Sequence, residues 1–329
     1  MKDQFVRPRV DKTSQEEFER PAGLNVVTGA FGYTGRYITR ELLSRGQRVV
    51  TLTGHPSAKN PFGDKVGVVP FAFDNQDKLV RRLQGVDVLF NTYWVRFPYG
   101  RASYDEAIEN TIALIEAAEE AGVRRFVHLS VSNASPDSPL PYFRGKGILE
   151  RAIMNSKLSY AIIRPTLIFG EGDVLINNIA WMLRRFPVFG IPGDGSYRLQ
   201  PIYVEDLAGL AARLAETRQN TIVDAVGPET YTFDVLVRLV AAAVQSKARI
   251  IHCRTGLALL CSSLVGRIVK DVVLTKDEVD GLMANLLVSD GSPAGQTRFS
   301  DWVVRIGDTL GRTYASELDR HFRSGGRMA

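Results

Sequence analysis

Tyr142 and Lys146 stand four residues apart in the run Tyr142-Phe143-Arg144-Gly145-Lys146, and Ser130 and Ser132 precede the tyrosine by 12 and 10 residues. Residues four apart on a helix share a face, one turn apart. A lysine ammonium on that face favours the tyrosinate and lowers a hydroxyl pKa of about 10 toward one usable near neutral pH. Tyr142 is therefore the candidate general acid/base for a hydroxyl or carbonyl group. The two serines fall on the same side of any strand that reaches both, so either hydroxyl could bond the substrate oxygen; Ser130 is preferred and Ser132 retained. A Tyr/Lys pair alone is commonplace on protein surfaces. Its weight here comes from the serines upstream and the strand pattern that carries them.

A second group of residues concerns binding. Glycines at 29, 32 and 35 fall between an apolar run, Leu24 to Thr28, and a helical pattern marked by Tyr37, Ile38, Leu42 and Leu43. In such a turn Gly29 takes the chain off the strand, Gly32 lets the backbone approach a pyrophosphate, and Gly35 packs helix against strand. The phosphates would sit at the positive end of the helix, with Phe31, Tyr33, Thr34 and Arg36 around them. The next strand pattern, Arg48 to Thr53, ends in Thr53-Gly54-His55 with Lys59 beyond, and there is no carboxylate between Glu41 and Asp64. A carboxylate there would hold the ribose hydroxyls of NAD. Basic groups instead suit a 2′-phosphate, so NADP is expected over NAD, with NAD left open.

The elements that must position these groups alternate. Strand patterns at Gly67 to Phe73, Val86 to Phe90, Arg125 to Ser130 and Ser159 to Arg164 are separated by helical patterns at Gln76 to Leu83 and Tyr104 to Ala121. Alternation of this kind predicts an α/β fold, a Rossmann-type doubly wound parallel sheet with its ligand crevice at the carboxyl ends of the strands. The sheet is expected over residues 23–170 and 198–227. A smaller, mainly helical substrate lobe takes residues 171–197 and a C-terminal part, 228–329; residues 1–22, rich in both charges, read as a flexible leader. Thr221 to Val226 is expected to return as a strand, and Thr232 to cap a helix. After the fourth strand, Trp94 and Arg96 offer aromatic surface and a cation at the crevice, which suits a flat or apolar substrate.

Taken together, the G-x-x-G-x-x-G spacing, the Tyr142/Lys146 pair, the upstream serines and Arg164-Pro165-Thr166-Leu167-Ile168-Phe169-Gly170 resemble the extended and atypical branch of the short-chain dehydrogenase/reductase superfamily, the epimerase/dehydratase-like proteins. The resemblance spans residues 24 to about 210. It implies that Lys146 also reaches the nicotinamide ribose, that Asp74 contacts adenine, that Asn91 and Thr92 line the ribose and nicotinamide side, and that Pro165 belongs to the cofactor site. Asn177-Asn178 resembles the segment that sugar-nucleotide epimerases set against a diphosphate. The diphosphate-binding arginine of those enzymes would fall at Leu199, however, and Arg198 is displaced by one residue, to the opposite face of a strand. The serine-to-tyrosine gap is also short and holds Pro136, Pro139 and Pro141. The function implied is an NAD(P)-dependent oxidoreductase or epimerase acting on a small-molecule hydroxyl or carbonyl. The alternative is a non-catalytic NAD(P)-binding scaffold or redox-sensing protein, since the atypical branch includes the dehydrogenase-like accessory subunit of respiratory complex I. Retention of both Tyr142 and Lys146 favours the enzyme, because a structural cofactor site needs the lysine more than the tyrosine.

The composition narrows the remaining classes. A chain of 329 residues, 45% hydrophobic and 23% charged, is ordinary for a globular protein. Its net charge of +5 is dispersed, without the basic runs of a nucleic-acid tail. Four scattered histidines and two cysteines, Cys253 and Cys261, have no metal-ligand spacing, and the cysteines read as thiols in a reducing compartment. No signal-peptide pattern is seen, and the longest apolar stretch, Leu257 to Val269, is too short to span a membrane, although it could pack on a partner or a membrane surface. A cytoplasmic protein with a small-molecule substrate, no nucleic-acid partner and no integral membrane segment is expected, with a homodimer left open.

Overall fold

The computed structural model describes residues 23–320, so the expected leader at 1–22 lies outside the described residues. In chain order the first half runs β1 (Leu24–Thr28), α1 (Tyr33–Ser44), β2 (Arg48–Thr53), β3 (Val66–Pro70), α2 (Gln76–Leu83), β4 (Val86–Asn91), α3 (Tyr104–Glu120), β5 (Arg125–Leu129), α4 (Pro141–Asn155) and β6 (Tyr160–Pro165). The second half runs β7 (Ile168–Phe169), α5 (Leu175–Arg185), β8 (Val188–Pro192), β9 (Arg198–Leu199), β10 (Ile202–Tyr203), α6 (Val204–Glu216), β11 (Thr221–Ala225), β12 (Tyr231–Thr232), α7 (Phe233–Ala243), β13 (Arg249–Cys253), α8 (Thr255–Val269), α9 (Lys276–Met283) and α10 (Phe299–Ile306).

Successive strand residues point to opposite faces, and Val26 and Val27, both buried, accordingly join different cores. On one face Val27, Val49, Phe90 and Val127 pack against Ile38 and Leu42 of α1 and Leu207 and Ala211 of α6. On the other, Val26, Leu52, Leu89 and Phe126 meet Leu79 of α2, Leu114 of α3 and Ile153 of α4. A sheet covered on both faces favours parallel strands with continuous apolar runs. The seven strands are all parallel, in the order β11-β6-β5-β4-β1-β2-β3. Pro70 closes β3 at the edge, where a missing N–H does least harm. The order in which strands are added reverses between β1 and β4, so the crevice opens beyond the carboxyl ends of those two strands.

The expected Rossmann-type sheet is therefore present, and β11 returns to it as the sequence predicts. Thr232 caps α7, its hydroxyl accepting from the Val235 amide. A third core, around Phe169, Ile176, Leu236, Phe299 and Trp302, holds the later helices together. Helices dominate that region, but three short ladders, β7/β10, β9/β12 and β8/β13, are added to it. At two to five residues each, they are too brief to carry a periodicity in sequence.

Candidate functional site

The chain leaves β1 through Gly29 at φ +65°, a left-handed conformation that costs glycine little. The Gly29 amide donates to Leu52 O (2.8 Å) and the Gly32 amide to Gly29 O (2.9 Å), closing a tight turn. Gly32 is then the N-cap of α1, with no side chain capping it, so first-turn N–H groups and the positive helix end are left for a ligand in the cleft. A Cβ on Gly35 would stand 2.3 Å from Gly29 O, which explains the third glycine: it lets α1 sit directly on the turn.

Phe31, Tyr33, Thr34 and Arg36 line this cleft, as do Thr53 and His55 at the end of β2, and Lys59. Its volume of about 1920 Å³ exceeds the roughly 300–1,000 Å³ of an ordinary ligand pocket, which leaves room for a dinucleotide and a second molecule. Around the turn, Tyr33 Oη, Arg36 Nε and Asp173 Oδ2 are buried without a hydrogen-bond partner. Buried polar groups are ordinarily paired. The free donors of Tyr33 and Arg36 beside an uncapped helix start suit a phosphate-bearing ligand, so these residues fit a nicotinamide dinucleotide.

Two of the cofactor residues carried over from the resemblance do not line the cleft. Asp74 is exposed just beyond β3, and the rings of Phe71 and Phe73, stacked at 4.5 Å and packed on Tyr93, line the cleft in its place. Asn91 is fully buried beneath the turn: its Oδ1 accepts from Thr28 Oγ1 (3.0 Å) and its Nδ2 meets His128 Nδ1 (3.1 Å). It ties β4 to β1 and β5. Thr92 and Pro165 do line the cleft.

Tyr142, Lys146 and Ser130 share the cleft wall, but not in the expected electrostatic arrangement. The ring of Trp94 presses on α4 where Gly145 lacks a side chain; a Cβ there would be 2.7 Å from Trp94 Cη2. Lys146 Nζ lies 4.6 Å over the Trp94 ring and donates to Leu129 O (2.7 Å). Tyr142 meets the same indole edge-on at 5.8 Å. Burial, against the pull of Glu150, pushes the lysine down to about 7. Burial and then Glu278 push Tyr142 up to about 12. In place of the expected lowering, desolvation of the phenolate dominates, and the largest neighbouring charge, Glu278, acts in the same direction. The Ser130 hydroxyl donates to Glu150 Oε1 (2.5 Å), and Glu150 is also paired with Arg164 (2.5 Å). Sequence reasoning missed Glu150, although it continues the Tyr142, Lys146 spacing by one more turn. Ser132 lies outside the cleft lining and donates to Leu286 O (2.6 Å).

The residues expected to meet substrate divide in the same way. Trp94 and Arg96 line the cleft, but Arg96 is salt-bridged to Glu278 of α9 (2.5 Å) and to Glu317 (3.5 Å), which hold its guanidinium in the charged form. Asn177 and Asn178 face away from the cleft and grip residues 311–315. Asn178 exchanges two 2.9 Å bonds with the Ala315 backbone, while Asn177 donates to Thr313 O and accepts from the Gly311 amide. Arg198 is exposed and Leu199 buried, the opposite-face placement that the one-residue displacement implies. Beyond the segment so held, Glu317 and Arg320 line the cleft; Arg320 Nη2 donates to Gly172 O (2.6 Å) and its guanidinium lies 5.7 Å from the Tyr33 ring.

Residues 29–174 match a protein family described as NAD(P)H-binding. Over 286 residues the chain is 25% identical to the mitochondrial NADH dehydrogenase [ubiquinone] 1 alpha subcomplex subunit 9 of Arabidopsis thaliana, covering 81% of this chain and 71% of that one. It is 28% identical to a ceramide reductase of Caulobacter vibrioides, over 70% of this chain and 73% of that one. Among solved structures, an NADPH-dependent quinone oxidoreductase from Escherichia coli complexed with NADPH superposes with a TM-score of 0.68 at 18% identity, over 86% of this chain and 99% of that one. The chain thus carries an NAD(P)-binding domain with a reductase- and epimerase-like fold, and the resemblance to the extended and atypical short-chain dehydrogenase/reductase branch stands.

Proposed function

We propose that the chain is an NADP(H)-dependent reductase of an apolar carbonyl compound. The observation that carries the reading is the continuity of one cleft, from the glycine turn past Tyr142 to a recess walled by Ile179, Met182, Phe189, Leu282 and Leu287. The bound cofactor would supply hydride. Arg36, Thr53, His55 and Lys59, with no carboxylate among them, support a 2′-phosphate over free ribose hydroxyls. Tyr142, with a pKa of about 12, keeps its proton at neutral pH and makes no hydrogen bond among the described residues. It is suited to give a proton to a developing alkoxide.

A second reading, a non-catalytic NADP(H)-binding protein that assembles with partners, is supported by Trp94 standing against both Tyr142 and Lys146, by the Ser130 hydroxyl being committed to Glu150, and by the similarity to respiratory subunits. One experiment separates the two. Purified protein is titrated with NADPH and NADH, then screened for NADPH oxidation against quinones and long-chain or polycyclic ketones. Tighter binding of NADPH is expected, and Tyr142→Phe should lower turnover on the order of 10² to 10⁴ while NADPH affinity stays within a few-fold. Unchanged turnover in that variant removes the tyrosine from the mechanism.

A further inference from the structure

α8 forms one wall of the cleft with Ala258, Ser262 and Val265, and its opposite side is bare. Leu257, Leu260, Leu264 and Ile268 are 52%, 57%, 50% and 73% exposed, and their spacing of three, four and four residues makes one continuous stripe. At the edge of the stripe the cleft itself opens: Val188 of β8, Ile251 of β13 and Leu257 are both cleft-lining and exposed. An apolar mouth thus leads into an apolar recess beside an apolar helix face. An aqueous substrate needs no such mouth, and water does not reward it.

The charge around the stripe says what covers it. Arg238 is already paired with Asp234, but Arg254 at the N-cap of α8 and Arg267 in its last turn are exposed, and α8 carries no carboxylate. A second copy is disfavoured, because in a two-fold contact the patch meets itself and these cations would face one another. An anionic phospholipid surface complements both features, taking leucine side chains at the headgroup boundary and cations at the phosphates. α8 has 15 residues, and no helix among the described residues is long and apolar enough to cross a membrane, so it would lie on the bilayer. We propose that α8 is a docking helix for an anionic membrane, with the cleft mouth between α8 and β13 opening onto the lipid. Resting on the reductase reading, it follows that the carbonyl substrate is a membrane-dissolved one that enters laterally.

The test is co-sedimentation of the full chain with vesicles of phosphatidylcholine, with and without phosphatidylglycerol. Binding is expected to the anionic vesicles and to weaken with added salt. Leu260→Glu with Leu264→Glu should lower the partition coefficient on the order of tenfold or more, and Arg254→Gln with Arg267→Gln by about tenfold. Retained NADPH affinity in each variant shows that it is folded. Failure of the parent chain to bind anionic vesicles, or equal binding by the leucine variant, overturns the proposal. So does a dimer in the absence of vesicles that the leucine variant dissociates. Because vesicle binding is read without substrate, a protein that docks yet oxidises no NADPH would sink the reductase reading and leave the docking helix standing.

Discussion

Asp173 keeps one carboxylate oxygen on the Ile176 amide (2.7 Å) and leaves the other buried without a partner. Burial pushes it up to about 7, against the pull of backbone amides and Arg320. An unfolded aspartate titrates near 3.9, so between those values the folded chain holds a proton that the unfolded chain has lost. Stability therefore falls as pH rises through that window, by at most about 4 kcal/mol. His128 works in the other direction: burial, then Lys146, holds it well below the usual histidine range, so below about pH 6.5 folding gains as pH rises. Comparing Asp173→Asn with its parent isolates the aspartate, since asparagine can still accept from Ile176. Thermal unfolding should show the two alike near pH 4 and the variant progressively more stable toward about pH 8. A difference that does not change with pH would mean that Asp173 is ionised throughout.

Among the elements, the packing of α1 on the glycine turn permits the sharpest statement. Gly35→Ala places a methyl group 2.3 Å from Gly29 O and 2.9 Å from its carbonyl carbon, both backbone atoms that cannot swing aside. The substitution should cost about 1–3 kcal/mol in chemical denaturation and weaken NADPH binding with it. Gly256→Ala near the start of α8 meets nothing within 4 Å and should be neutral or stabilising by roughly 0.5 kcal/mol, so loss of stability at both sites would discount the steric account. The same contrast explains what was readable from sequence. The roles of Gly29 and Gly35, the seven strands of the sheet and the cap at Thr232 follow from local rules of turn geometry and periodicity. Asp74, Asn91, Asn177 and Asn178 rest on analogy in loops or at element ends, where one turn of the chain redirects a side chain, and Ser132 rests on a strand that in fact ends at Leu129. The wedge formed by Trp94 depends on Gly145, 51 positions away in sequence and adjacent only after folding. Glu150 was hidden because a glutamate on a helix ordinarily reads as solvent-facing, and only the neighbouring Ser130 and Arg164 make its burial affordable.

At the scale of the molecule, Ser316, Glu317, Asp319 and Arg320 add to the cleft wall from the far end of the described chain. Asp271 accepts from the Glu317 and Leu318 amides and from Tyr314 Oη, Asn177 and Asn178 hold the segment upstream, and Arg96 ties Glu317 to the loop after β4. Asn178→Ala removes both bonds to Ala315 and should loosen this strap without touching the glycine turn. Stopped-flow fluorescence should then report NADPH release faster by several-fold, with the association rate nearly unchanged. Equal release rates would mean that the segment does not retain the ligand. Such a strap also bears on the order in which the protein is made. At about 10 residues per second, Arg320 leaves the ribosome roughly half a minute after Arg36. Until Arg320 emerges, Tyr33 and Arg36 lack the contacts that residues 316–320 bring to the cleft, so the dinucleotide site is completed only by some of the last described residues.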